Sequence, residues 1–428
     1  MRLLPALLSA FAALAAAPLC AAQNVRVLIA SKATLSVNTA PTSAGPGSAS
    51  APTIWNIGVR GGKLTLGGQD TGNALLSLPA NVGGTLEVAG HRYRGGLILR
   101  ATPGGVQAIN VVDLEDYLRG VVPAEMPPLW AAAAVRAQAI IARTYAAARI
   151  NPAAPYDLCA TTQCQVYEGV AKEHPLSDAA VLETRAEVVS SGGKLADTYF
   201  SADSGGYTAS SLEAWGRDIP YLKAQPDPTS PTAQKPWVIT APLGDVEEVA
   251  ARYGVKLGPL SSVSVSKAST SGRVIQLSFS GENGTQTLAG ADAGGFVRSL
   301  GAKSSRVKLS VDGGLLTLTG SGSGHGVGLS QWGARGLAES GKSDLALLAF
   351  YYPGAQISVL TEAQANTRPQ LGPTLPLAVA ARQGSAPGQP ARTELTAEVT
   401  PDLLLEPDLF PALIADLLIP GPAARLTL

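Results

Sequence analysis

Histidine and cysteine are scarce, at three of each in 428 residues. That leaves little to build a zinc site, which wants four protein ligands, or three and a water. Charge is sparse and balanced, with 32 basic against 32 acidic side chains. No basic surface announces nucleic acid, so nucleic acid is excluded as a partner. Beyond Leu19 no apolar run is long enough to cross a bilayer, so no transmembrane segment is expected. No internal repeat is evident. What the chain does have is an apolar fraction of 46%, ample for real cores, over a length that suggests two or three domains.

Met1-Arg2, an apolar run from Leu3 to Leu19 and then Cys20-Ala21-Ala22 read as a secretory leader over 1–22. Cleavage after Ala22 would leave Gln23 first; a lipid-anchored Cys20 is the competing reading, against which Leu19 is not a small residue. The expected location is secreted, in a periplasm or cell envelope. Removing the leader leaves Cys159 and Cys164, an even pair that suggests a disulfide in an oxidising compartment. Zinc on the same two sulfurs is the alternative.

The patterning is that of an α+β protein: a β-rich N-terminal part and a core whose alanine-rich helices line a cleft, plus an inserted smaller α/β module. Short alternating runs such as Lys63-Leu64-Thr65-Leu66 fill 23–110, and 41–52 reads as a loop insertion. A helix is expected from Pro127 to Ile150, starting on the proline pair, and another from Ser177, as N-cap, to Val189. A strand is expected over 195–202. The core is expected to comprise 23–224 together with 320–360, interrupted by the module at 225–319. Helices are expected near 330–340 and 343–350. The Pro/Ala-rich segment 361–428 reads as flexible linker and tail.

Four stretches carry chemistry. Gly320, Gly322, Gly324, Gly326 and Gly328 alternate with Ser321, Ser323, His325, Val327 and Leu329, ahead of Ser330-Gln331-Trp332-Gly333-Ala334. Read as extended chain, this has one bare face suited to close approach of a backbone or ligand; a glycine-rich turn is the plainer reading. Glu125 stands just before the expected helix start, among Val121, Val122 and Met126. Apolar neighbours raise a carboxyl pKa and suit a general acid, whereas a helix start would favour the anion and a capping role. Along the following helix Arg136 and Arg143 share one face, Gln138 and Tyr145 another, with Thr144 beside them. Two such stripes suggest one facing water and one lining a cleft. Asp203-Ser204-Gly205-Gly206 is like a chymotrypsin-type nucleophile segment, but no His and Asp precede it in a fitting context. A tight turn presenting Ser204 to a cleft fits better.

In order along residues 90–360, these stretches resemble the SpoIID/LytB family, stage II sporulation protein D and its amidase-enhancer relatives. The resemblance is carried by Leu114-Glu115-Asp116-Tyr117-Leu118, Val121 through Pro127, Ala137-Gln138-Ala139 and Ala142-Arg143-Thr144-Tyr145. It continues through Cys164-Gln165-Val166-Tyr167, Ser204-Gly205-Gly206, Trp215-Gly216, Gly324 through Ala334 and Tyr351-Tyr352-Pro353-Gly354. It implies a lytic transglycosylase acting on peptidoglycan glycan strands stripped of stem peptides, with Glu125, in Glu-Met-Pro, as catalytic residue. A stimulator of a cell-wall amidase is the alternative. Gln138, Arg143, Thr144, Tyr145, Ser204, Trp215, His325, Ser330 and Gln331 are the candidate sugar contacts. Some members bind zinc through the two cysteines and neighbouring histidines; Gln163 stands where a histidine is usual, so no metal or other cofactor is expected.

Overall fold

The computed structural model describes residues 23–39, 53–79, 84–361 and 370–376. The expected leader, the 41–52 insertion and most of 361–428 lie outside these residues. Within the segment read as linker, Gln370–Pro376 is an edge strand, antiparallel to Gln356–Thr361.

The N-terminal part is β, as the alternation requires. A five-stranded sheet runs in the order Leu158–Cys159, Asn24–Lys32, Gly105–Asp113, Gly96–Thr102, Leu75–Leu78. A six-stranded sheet holds most of the remaining short strands between 35 and 94. The strand Gly105–Asp113 delivers the chain directly into helix α1 (Leu114–Glu125). Asp113 caps α1, its Oδ1 accepting from the amides of Glu115 at 2.9 Å and Asp116 at 3.4 Å. Leu114, Tyr117, Leu118, Val121 and Val122 are all buried. Their spacing makes one continuous apolar stripe against the core.

Helix α1 corrects the placement of Glu125, which closes a helix rather than preceding one. Pro127 holds Met126 extended, at φ −138° and ψ 133°, and so stops the helix. The next helix, α2, spans Ala132–Ala147, five residues later than the proline pair suggested. Every residue of α2 from Ala134 onward is buried. The alanines let neighbours close around it, so α2 is the axle of the main core. The arginine stripe of α2 does not meet water. Arg136 pairs with Glu183 at 3.2 Å and Asp344 at 3.5 Å, and Arg143 with Glu115 at 2.8 Å.

Two other expectations shift. The helix set at 177–189 is Pro175–Glu183, capped by His174, whose Nδ1 accepts from the Leu176 amide at 3.2 Å. Pro175 fixes the first turn, and the Ser177 hydroxyl donates back to the His174 carbonyl at 2.9 Å. The strand expected at 195–202 reduces to the short pieces Lys194–Leu195 and Phe200–Ser201. Phe200–Ser201 pairs in parallel with Leu329–Ser330, and Ala209 bridges Val327. The Asp-Ser-Gly-Gly stretch and the end of the glycine run thus meet across more than a hundred residues of chain.

The intervening residues build a second hydrophobic core, from Val246 to Leu318 with Trp237 packed against it. Two three-stranded sheets and the helices Leu243–Arg252 and Ala291–Ser299 enclose it. Arg273 and Arg306 reach out of this module. Arg273 donates to the carbonyls of Ser204 and Tyr207 at 2.9 and 3.0 Å, and Arg306 to that of Gly205 at 2.9 Å. The module therefore grips the loop that lies beside the cleft.

Candidate functional site

A narrow cleft of about 160 Å³ lies between the end of α1, the end of α2, the loop through Cys164 and the glycine run. Glu125 lines it, only 6% exposed. Its Oε1 accepts from the Val166 amide at 2.7 Å. Burial pushes the carboxyl up to about 7, opposed by that one amide. The carbonyl end of α1 acts in the same direction, because it disfavours an anion. The two effects weighed against each other in the sequence therefore cooperate.

Alternation explains how Val166 comes to face Glu125. Gln165 and Tyr167 are buried on either side of it. The Tyr117 hydroxyl donates to Gln165 Oε1 at 3.2 Å, and the Tyr167 hydroxyl to Asn110 Oδ1 at 3.0 Å. With both neighbours anchored inward, the backbone between them is fixed. Upstream, Cys159 and Cys164 are joined in a disulfide, their Cα atoms 5.5 Å apart. It closes the loop that puts Thr162 and Gln163 on the cleft rim. With both sulfurs joined, neither is a thiolate ligand. Among the described residues no group of three or more His, Cys, Asp or Glu is placed to hold a metal. Peptide mapping of the non-reduced protein is expected to recover a linked Cys159–Cys164 peptide, and reduction with alkylation to lower stability by about 2 kcal/mol. Two free thiols with stoichiometric zinc would contradict this.

The sequence candidates divide. Glu125, Tyr145, His325 and Gln331 come together around the cleft. Gln331 Nε2 donates to the Glu125 carbonyl at 2.8 Å and to Gln138 Oε1 at 3.4 Å. Gln138, with no exposed surface, thus stands behind Gln331 rather than in the cleft. Trp215 packs on His325, ring centroids 5.4 Å apart, and on Tyr199 at 4.6 Å.

Four candidates are used up inside the fold. Arg143 is fully buried, bonded to Glu115, Thr184 and the carbonyls of Val181 and Glu187. The Thr144 hydroxyl donates to the Ile140 carbonyl at 2.7 Å and accepts from the Val189 amide at 2.9 Å. Ser204 donates to Asp227 at 2.6 Å. Ser330 caps the helix Gln331–Glu339 through the Gly333 amide at 3.2 Å. Each has exchanged water for protein partners, as a buried polar group must, and none faces the cleft. Residues missed are Arg149, Tyr199 and Phe200, all on the cleft wall. Arg149 lies four positions beyond Tyr145, a helical spacing that places it over the same face.

The glycine run is not extended. Gly322, Gly324, Gly326 and Gly328 have φ of +85°, +92°, +72° and +72°. The alternation sets up left-handed backbone, which glycine adopts freely. The close approach it implied is there. A Cβ on Gly322 would lie 3.0 Å from the Asp203 carbonyl oxygen, and one on Gly324 2.8 Å from Ser201 Cβ. Those on Gly326 and Gly328 would overlap Arg273 and the Tyr199 carbonyl. His325 is carried into the cleft with Nδ1 accepting from the Val327 amide at 3.0 Å. Its proton therefore sits on Nε2, and the ring also bonds the Phe200 backbone. Burial, then the charge of Arg273, pushes it down to about 4. His325 is a neutral ring near pH 7 with both nitrogens engaged.

The family model described as stage II sporulation protein, SpoIID, matches residues 102–190, a span that includes Glu125, α2 and both cysteines. Stage II sporulation protein D of Bacillus subtilis is 32% identical over 293 residues, 62% of this chain and 82% of that protein. An uncharacterized protein of Brachyspira hyodysenteriae is 35% identical over 271 residues, 63% of this chain and 73% of its own. The amidase enhancer of Bacillus subtilis is 29% identical over 357 residues, which is 71% of this chain and half of that relative.

Proposed function

The chain belongs to the stage II sporulation protein D (SpoIID/LytB) family, and we propose that it is an exported lytic transglycosylase of peptidoglycan glycan strands. The observation that carries this reading is a single carboxyl in the cleft, Glu125, raised to about 7, with no second carboxylate among the residues lining it. Hydrolysis of a glycosidic bond ordinarily takes two carboxylates, one acid and one nucleophile or base. An intramolecular displacement takes one.

Glu125 gives its proton to the glycosidic oxygen between N-acetylmuramic acid and N-acetylglucosamine as the muramic acid C1–O bond breaks. The resulting carboxylate removes the proton of the muramic acid C6 hydroxyl, and O6 bonds to C1. The products are a 1,6-anhydro-muramic acid end and a free 4-hydroxyl on the departing sugar; the carboxyl is restored. The Val166 amide holds Oε1, which leaves Oε2 for the proton. Tyr199, Trp215 and His325 form an aromatic wall of the kind on which sugar faces stack.

Mass spectrometry of products from purified glycan strands tests the reading. Anhydro ends, 18 Da lighter than hydrolytic ends by loss of one water, are expected; reducing ends alone would overturn it. The pH dependence has a definite sign. The first step needs protonated Glu125, so kcat/KM is expected to be flat on the acid side and to fall tenfold per pH unit above about 7. A profile rising through pH 7 would exclude Glu125 as the initial acid.

A second reading, stimulation of a cell-wall amidase, is favoured by the similarity to the amidase enhancer. It predicts amidase activation that survives Glu125→Gln.

A further inference from the structure

Arg149 stands two residues beyond α2 on the wall of the Glu125 cleft. Its guanidinium lies over the Tyr145 ring, 3.3 Å from the centroid, and 5.8 Å from that of Tyr199. Nη1 donates to the Tyr145 carbonyl at 3.0 Å. The Tyr145 hydroxyl also takes a hydrogen bond from Arg149. These contacts, all with Tyr145 and Tyr199, orient the group without a carboxylate and leave donors of its five N–H groups over.

Several half-buried or buried arginines of the core are neutralised by carboxylates. Arg26 pairs with Asp157, Arg94 and Arg119 with Glu173, Arg136 with Glu183, and Arg143 with Glu115. Among the described residues Arg149 has no such ion pair, although it is half-buried on the wall of the cleft. Glu125 is not its partner: the influences on that carboxyl are burial and the Val166 amide. The cleft wall thus holds an oriented cation with no carboxylate of its own. A guanidinium fixed in plane by an aromatic face is suited to bidentate recognition of a carboxylate.

Resting on the transglycosylase reading, the anion has two sources in the substrate. One is the lactyl carboxylate on C3 of muramic acid, free only where no stem peptide is attached. The other is a carboxylate of the stem peptide itself. The cleft is narrow, about 160 Å³, and Arg149 lies on its wall rather than outside its mouth. That favours the group attached directly to the sugar ring. We infer that Arg149 is a specificity-determining residue that binds the lactyl carboxylate of a muramic acid seated at Glu125, so that the enzyme reads the absence of the stem peptide as the presence of a charge.

Three glycans test this with the full chain: bare strands, bare strands with the lactyl carboxylate converted to its neutral methylamide, and strands that keep their stem peptides. Wild type is expected to favour bare strands over the methylamide by roughly 10- to 100-fold in kcat/KM. Arg149→Gln should lose that factor on bare strands and change little on the methylamide, while Arg149→Lys restores part of it. Equal losses on both substrates would mean Arg149 only supports the fold, and would overturn the inference. So would a preference of Arg149→Gln for strands that keep their peptides equal to that of wild type. Binding of the same three glycans to Glu125→Gln, by calorimetry, separates this from the chemistry. If wild type cleaves nothing but binding still discriminates through Arg149, the transglycosylase reading alone fails. If strands are cleaved without discrimination, or no glycan is bound, the Arg149 assignment fails.

Discussion

Glu125→Gln is expected to keep the fold and to lose glycan cleavage by ~10²–10⁴-fold, the usual contribution of a general acid. The amide is nearly isosteric, and its carbonyl can still accept from the Val166 amide, as Oε1 does now at 2.7 Å. What it cannot do is deliver a proton. Stability should move the opposite way. A carboxyl whose folded pKa is about 7, against 4.5 unperturbed, binds more protons folded than unfolded between those values. Stability therefore falls as pH rises from about 4.5 to 7 and stays low above, by roughly 3 kcal/mol in all. The neutral glutamine escapes this. Glu125→Gln should therefore unfold at a higher temperature than wild type at pH 8, and show little advantage at pH 4. An inactive variant that is also less stable at pH 8 would mean that the loss is structural. Near wild-type release of anhydro ends would remove Glu125 from the chemistry.

The raised pKa of Glu125 was only half legible in the sequence. The apolar neighbours Val121, Val122 and Met126 announce a raised pKa, but Pro127-Pro128 looks like a helix start. In the fold it is the stop after Glu125. A proline pair is compatible with either role, and only the strand leading into Asp113 decides, because Asp113 caps a helix that begins at Leu114. The main-chain partners of the site are the least legible part. The Val166 amide and the Glu125 carbonyl have no side-chain signature, although the stretch containing Val166 was picked out. Arg143 and Thr144 illustrate the converse. Their polarity on an alanine-rich helix marks them, but a fully buried polar group has a choice between a ligand and the rest of the fold. For these two the Glu115 carboxylate and the Val189 amide already fill the demand. The mixed strand and helix character of 225–319 was legible in the sequence. The hold of these residues on the cleft was not, since Arg273 is a lone basic residue in a β pattern until Gly326 is seen beneath it.

Gly326→Val should be among the most damaging single changes available near the site, for two separable reasons. At φ +72° a branched side chain is strained by itself. Its Cβ would also enter the guanidinium of Arg273, whose Cζ lies 2.6 Å from the Cβ position. Arg273 is 5% exposed and holds the carbonyls of Ser204 and Tyr207. Moving it would leave two buried carbonyls unmatched, at a cost of about 1–3 kcal/mol each, with about 1–3 kcal/mol more from the backbone. Gly341→Val isolates the backbone strain. Gly341 has φ +88°, and a Cβ there would meet nothing within 4 Å. Thermal unfolding should show a small loss for Gly341→Val and a loss several times larger for Gly326→Val. His325 adjoins Gly326 and owes its orientation to the Val327 amide. Whatever Gly326→Val protein remains folded should therefore cleave glycan poorly, while Gly341→Val should cleave normally. Equal stability losses in the two variants would show that Arg273 yields easily, and that the module does not hold the cleft through this contact.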